Sequence, residues 1–134
     1  MKNHKIMLVD DDPLISEIIC ATLRKETSFD TCYFENPIEA LQKISEITPD
    51  ILLLDWEMPD MSGLEFLHHI RKNKDTQNIC VFMLTGKKTD HDFEVARQAG
   101  ADGYFTKPID ILAFNNSILT FLTTKDETIK CTAH

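Results

Sequence analysis

Nowhere in this sequence do apolar residues run for the about 20 positions that a membrane-crossing helix needs. Met1 to Lys5 is polar where a secretory signal would build a hydrophobic core, so the reading is a soluble, unprocessed, cytoplasmic chain with no membrane partner. Positive charge is scarce: 14 Lys and Arg stand against 22 Asp and Glu, a formal net charge of −8. With no local basic cluster, that field repels phosphate backbones and argues against direct nucleic-acid binding. Glycine numbers only 4, and no glycine-rich loop suited to cradling a phosphate is present. The cysteines Cys20, Cys32, Cys80 and Cys131 form no C-x-x-C pair, and three lie in apolar stretches, which fits free thiols in a reducing compartment. Zinc spacing is missing too, as is a Ser/His/Asp order. His68 and His69, adjacent on a helix, would point about 100° apart and are surface or boundary residues, not joint ligands.

What the chain does have is alternation. Its 134 residues, 43% of them hydrophobic, suffice for one domain with one sizeable core. Short aliphatic runs alternate with segments of helical period, the pattern of parallel strands joined by crossover helices. Ile6–Val9 reads as the first strand; Asp12 caps a helix with Pro13 at its first position and a buried stripe of Leu14, Ile15, Ile18, Ile19 and Leu23. Thr31–Phe34 is a second strand, followed by Asn36 as cap, Pro37, Glu39 and a helix to about Ile47. Ile51–Leu54 is a third strand, too continuously aliphatic to be anything but buried on both faces. Ser62 and Glu65 make a capping-box pattern for the third helix, which continues through Leu67 and Ile70. Val81–Leu84 is the fourth strand, and a helix over about Thr89–Ala99 stops at Gly100. Tyr104–Thr106 is a short fifth strand, and a last helix over Ile109–Leu122 carries Ile111, Phe114, Ile118 and Phe121 at core spacing. Thr123 to His134 reads as a frayed polar tail.

The strand ends share a chemistry. Asp10 and Asp11 follow the first, Asp55 the third, Thr85 the fourth and Lys107 the fifth. In a parallel sheet these ends converge on one edge, where open α/β folds place their ligand sites. Three carboxylates there repel one another and need a compensating cation, either Lys107 or a metal. All-oxygen ligands with room for water and phosphate favour Mg²⁺, with Mn²⁺ as a substitute.

The acidic run Val9-Asp10-Asp11-Asp12, the stretch Asp55-x-x-Met58-Pro59-x-Met61-x-Gly63, Thr85-Gly86 and Lys107-Pro108 together make the chain resemble the receiver domain of two-component response regulators over nearly its whole length. The resemblance implies a doubly wound five-stranded parallel sheet, (βα)5 and flavodoxin-like, in the order 2-1-3-4-5, with the receiver domain over 1–123 and a short tail over 124–134. It implies that Asp55 accepts a phosphoryl group from a phosphohistidine on a sensor histidine kinase or histidine phosphotransfer protein. Asp11 would be a direct Mg²⁺ ligand beside Asp55, Asp10 would act mainly through water, and Glu57 would offer its backbone carbonyl. Lys107 and Thr85 would contact the phosphoryl oxygens, over a cis Lys107–Pro108 bond. Tyr104 would be a switch side chain coupled to Thr85, or else a half-buried aromatic on an edge strand. Gly86 matches the family's small residue and leaves room for the phosphoryl group.

Glu57 and Lys87 should border the mouth of the site, where they either pair and screen the acyl phosphate from water or stay separately solvated. From Ile109 to Leu122 the last helix has no Lys or Arg and only Asp110 as a charge. Leu112 and Leu119 fall off its core stripe beside Asn115 and Asn116, and are expected to form a surface for an unknown downstream protein or a homodimer. The basic residues that dimerising transcriptional receivers often carry there are missing. Competing readings are a phosphorylation-silent interaction module, which would have lost Asp55 or Lys107, and an aspartate-nucleophile phosphohydrolase, which would want a second Asp where Glu57 stands. The chain is therefore expected to be a phosphoacceptor and not a turnover enzyme.

Overall fold

The computed structural model describes residues 4–26, 29–86 and 89–128. Five parallel strands, β1 (Lys5–Val9), β2 (Asp30–Phe34), β3 (Ile51–Asp55), β4 (Cys80–Thr85) and β5 (Gly103–Thr106), form one sheet in the order β2-β1-β3-β4-β5. Between and after them run α1 (Pro13–Glu26), α2 (Pro37–Ile47), α3 (Gly63–Lys72), α4 (Asp90–Ala99) and α5 (Ile111–Thr128). The expected topology holds throughout.

Side-chain alternation along the strands sorts the core into two layers. Ile6, Leu8, Ile51, Leu53, Phe82 and Leu84 point to the face covered by α1 and α5, against Ile19, Leu23, Phe114 and Ile118. Met7, Val9, Leu52, Leu54, Val81 and Met83 point to the opposite face, against Ala40 and Ile44 of α2, Phe66, Leu67 and Ile70 of α3 and Ala96 of α4. Because Ile51, Leu52, Leu53 and Leu54 are all fully buried, each contributes roughly 1.5–3 kcal/mol to holding β3 in place, and with it the residue that ends the strand.

The helix ends follow the local chemistry. Asp12 accepts from the Leu14 and Ile15 amides, Asn36 from those of Ile38 and Glu39, and Ser62 and Glu65 close a capping box, as Thr89 and Asp92 do for α4. Gly100 ends α4 at φ 109°, a left-handed conformation that glycine adopts without strain. Arg71 of α3 then fastens that end, donating from Nε and a terminal nitrogen to the Gly100 carbonyl and reaching Asp102 at 3.2 Å.

Three expectations need correction. Only Ile19 and Leu23 of the proposed α1 stripe are buried; Leu14 is 68% and Ile18 51% exposed, and Ile15 also faces solvent. The face on the sheet is Ser16, Ile19, Cys20 and Leu23, spaced three or four apart, so the apolar residues at 14, 15 and 18 lie beyond the angle one sheet contact can cover. Helix α5 also runs six residues past Leu122, to Thr128. On it Phe114 and Ile118 are buried and Phe121 packs at the edge of the same layer, while the side chain of Ile111 lies outside the described residues. Asn115, expected off the core, is buried.

Candidate functional site

The carboxyl ends of β1, β3, β4 and β5 meet at one edge. Asp10 follows β1 and is fully buried; its Oδ1 accepts the Asp12 amide at 2.9 Å, which fixes the carboxylate beside the start of α1. Asp55 ends β3 and is nearly buried, with its neighbour Trp56 anchored by a hydrogen bond that its backbone N–H donates to the Leu84 carbonyl at 2.9 Å. Gly63 lets the first turn of α3 come down onto this loop: its amide donates to Trp56 O at 2.7 Å, and a Cβ there would stand 2.4 Å from Asp55 O. Close backbone approach therefore explains why Gly63 belongs to the motif.

Lys107 enters from β5. Its amide donates to Thr85 O at 2.7 Å, the Lys107–Pro108 peptide is cis as expected, and its Nζ reaches Asp55 Oδ1 at 3.0 Å and Asp10 Oδ2 at 3.1 Å. Asp11, exposed, completes a group of three carboxylates whose oxygens lie within 4.8 Å of one another. Thr85 is fully buried, and its Oγ1 has no hydrogen-bond partner among the described residues.

The electrostatics are those of an overfilled acidic site. Burial, and then the Asp10 charge, push the Asp55 carboxyl up to about 7, against the opposing pull of Lys107. Burial alone would lower the Lys107 pKa, but the hydrogen bond and charge of Asp55, with Asp10 behind it, leave it raised. One ammonium thus serves two buried carboxylates, with a third close by. Such a donor set, all oxygen and net negative, fits a hard divalent cation.

Other expected positions fall as follows. Glu57 is exposed near the start of the β3–α3 loop, whereas Lys87, its expected partner, lies outside the described residues. At Gly86 an added Cβ would meet nothing within 4 Å among the described residues, so there is space beside Thr85. Tyr104 is 48% exposed and turned outward, its ring stacked on Phe93 of α4 with centroids 3.8 Å apart and planes 9° from parallel. Phe93 was not legible as a site-related residue, because the contact depends on how α4 seats against β5. Leu112 and Leu119 are 62% and 47% exposed, and His68 and His69 are exposed on α3. A second feature also went unread: Ile15, Ile18 and Ile19 of α1 join Lys107, Pro108 and Ile109 around an apolar groove of about 370 Å³ beside the site. The signal was present in the surplus of apolar positions on α1.

A doubly wound α/β sheet with three acidic groups, a hydroxyl and an inward lysine at its carboxyl edge places the chain among flavodoxin-like α/β domains that gather their polar groups where the strands end. The chain belongs to the response regulator receiver domain family, whose model matches residues 6–118. It is 35% identical over 105 residues to the phosphate regulon transcriptional regulatory protein PhoB of Escherichia coli, covering 78% of this chain and 45% of that protein. It is likewise 35% identical over 105 residues to the DNA-binding response regulator MtrA of Mycolicibacterium smegmatis, covering 78% of this chain and 44% of MtrA. The chain thus spans less than half the length of these curated relatives. A CheY-like response regulator receiver domain protein from Methanospirillum hungatei superposes with a TM-score of 0.85 at 26% identity, over 94% of this chain and 98% of that one. Among the described residues no helix is long and apolar enough to cross a membrane.

Proposed function

We infer that this receiver domain is a phosphoacceptor switch in which Asp55 takes the phosphoryl group of a phosphohistidine on a sensor kinase or phosphotransfer protein. The observation that carries the reading is the pairing of a buried Thr85 hydroxyl, without a partner among the described residues, with a lysine ammonium already on Asp55. A buried hydroxyl without a partner costs about 1–3 kcal/mol, a cost that an incoming phosphoryl oxygen would remove. A carboxylate oxygen of Asp55 attacks phosphorus, the bond from phosphorus to the donor imidazole nitrogen breaks, and the imidazole leaves with the electron pair. Lys107 moves from carboxylate to phosphoryl oxygen, and the Thr85 hydroxyl donates to a second oxygen. Asp10, Asp11 and Asp55, with the Glu57 carbonyl, would hold Mg²⁺, or Mn²⁺ in its place, which neutralises charge on the transferring group.

The donor reaches Asp55 over the groove beside Lys107. Exposed Ile15 and Ile18 line that groove beside Lys107, with exposed Leu14 on the same helix, an apolar placement suited to the helices that present a histidine. Because the donor is phosphorylated from cytoplasmic ATP, the reading carries a cytoplasmic location and an input role without turnover of a substrate. Output belongs to the α4–β5–α5 face, with Tyr104, Leu112 and Leu119 exposed for a downstream protein or a second copy. Its signal is a population shift between two pre-existing arrangements.

The decisive experiment is incubation with a small acyl phosphate donor and Mg²⁺ followed by intact mass. One added phosphoryl group, abolished in Asp55→Asn, is expected; no adduct with several donors would overturn the reading.

A further inference from the structure

We propose that Ser16 is a positioning residue for the cation: its buried hydroxyl ties down the loop that carries Asp11 and thereby sets how strongly the three carboxylates prefer Mg²⁺ over Ca²⁺. The proposal rests on Asp10, Asp11 and Asp55 holding a divalent cation, and it adds to that reading a residue that touches neither the ion nor the phosphoryl group.

Helix α1 seats Ser16, Ile19, Cys20 and Leu23 on the sheet, so a hydroxyl stands in a row otherwise made of apolar side chains and a thiol. Ser16 is fully buried, and a buried hydroxyl costs free energy unless it is bonded. Its Oγ donates to Asp12 O at 2.9 Å and, at a longer 3.4 Å, to Asp10 O. The first is the ordinary bond of a helical hydroxyl to the carbonyl four residues back, of the kind that exposed Thr22 makes to Ile18 O at 2.8 Å. The second reaches six residues back, out of the helix and into the loop. The two carbonyls stand on either side of Asp11 in the chain.

The neighbours of Asp11 are fixed by other bonds as well. The Asp10 amide donates to Phe34 O at 3.1 Å, and its carboxylate takes the Asp12 amide on one oxygen and Lys107 on the other. Asp12 Oδ1 caps α1, and Asp12 O also receives the Ser16 amide at 3.0 Å. Between these two residues Asp11 is exposed, with a carboxylate oxygen within 4.8 Å of those of Asp10 and Asp55. Where that carboxylate stands is set by the peptide units beside it, and the Ser16 hydroxyl bonds a carbonyl on each side. Without the hydroxyl, Asp10 O and Asp12 O face a methyl group in place of a shared donor. Their dipoles then repel, the loop loosens, and Asp11 moves with it.

Rigidity of this kind discriminates between ions. Mg²⁺ is small and demands near-ideal octahedral geometry, whereas Ca²⁺ is larger and accepts irregular coordination, so selectivity follows the flexibility of the ligand set. Removing a group that orients a metal ligand typically weakens binding by about 10- to 100-fold. Ser16 acts through the backbone, which places it at the lower end of that range.

The test measures Mg²⁺ and Ca²⁺ affinities separately, from the rise of the urea midpoint with ion concentration at constant ionic strength, because an ion that binds only the folded chain stabilises it. Ser16→Ala should weaken Mg²⁺ binding about tenfold and Ca²⁺ binding by no more than about twofold, so that the ratio of the two affinities falls. Ser16→Thr, which keeps the hydroxyl, should restore the wild-type ratio, and Ser16→Cys, a weaker donor, should fall between Ser16→Ala and wild type. Ile19→Val, on the same face of α1, should lower stability and leave both affinities unchanged. Wild-type protein whose midpoint rises with neither ion overturns the cation site itself. Wild-type protein that binds Mg²⁺, while Ser16→Ala keeps the wild-type ratio or Ser16→Thr and Ser16→Cys both match Ser16→Ala, overturns the role of Ser16 alone.

Discussion

Lys107 and Asp55 are 52 residues apart in the chain, yet Lys107 Nζ lies 3.0 Å from Asp55 Oδ1. The same ammonium reaches Asp10 at 3.1 Å, so one cation compensates two buried carboxylates while Asp11 adds a third at their rim. Among the described residues, charge balance at the sheet edge is therefore incomplete without a further cation, and the consequences are measurable.

Lys107→Met should lower stability by about 3–5 kcal/mol at pH 8 in EDTA, because removing one partner of a buried pair leaves the others uncompensated. Mg²⁺ should restore more of that loss in the variant than it adds to wild type. Urea unfolding followed by the buried fluorescence of Trp56, the only tryptophan and the residue after Asp55, reads both. An equal Mg²⁺ increment in the two proteins would separate metal binding from this charge balance.

Stability should also fall with pH in a defined window. Asp55 titrates near 4 when unfolded, and burial beside Asp10 raises it to about 7 in the fold. Between those values the native state holds a proton that the unfolded state has lost, so raising the pH across the window favours unfolding. Asp55→Asn removes this term. In metal-free buffer the variant should gain on the order of 1–3 kcal/mol over wild type at pH 8, and little or nothing at pH 4. A gain that is the same at both pH values would assign it to packing.

Much of this was legible because it is local. The aliphatic run Ile51–Leu54, the caps at Asp12, Asn36 and Ser62 and the stop at Gly100 each follow from a few neighbouring residues. The convergence of Asp10, Asp55, Thr85 and Lys107 follows from the parallel order of strands. What escaped depends on how elements seat against one another. Leu14 and Ile18 are as apolar as Ile19, and only the docking angle of α1 on the sheet decides which are buried. Phe93 meets Tyr104 through the lateral position of α4, to which no pattern within the helix refers.

Gly63→Ala should cost about 1–3 kcal/mol through overpacking, since the new methyl would stand 2.4 Å from Asp55 O and 2.9 Å from Met83 Cε. The strain falls on the strand end that carries Asp55, the proposed acceptor. Phosphorylation by a small donor should thus slow under conditions where the variant is fully folded by circular dichroism. Normal phosphorylation with lowered stability would show that α3 shifts and leaves Asp55 in place.

Ile18→Asp separates the donor surface from the chemistry. Ile18 is 51% exposed and lines the groove that includes Lys107, whereas the contacts that hold Asp55 and Lys107 together do not involve it. A surface substitution of this kind should change stability by no more than about 0.5 kcal/mol. Phosphorylation by a small acyl phosphate, which needs only the site, should proceed at the wild-type rate. Transfer from a phosphorylated histidine protein should fall at least tenfold, through loss of the apolar contact and repulsion from a new negative charge beside a site already rich in them. Leu112→Glu on α5 is the control, expected to leave transfer unchanged and to weaken binding at the output face. Equal loss in both reactions for Ile18→Asp would place the defect in the site itself, and equal retention would move the donor's footprint away from α1.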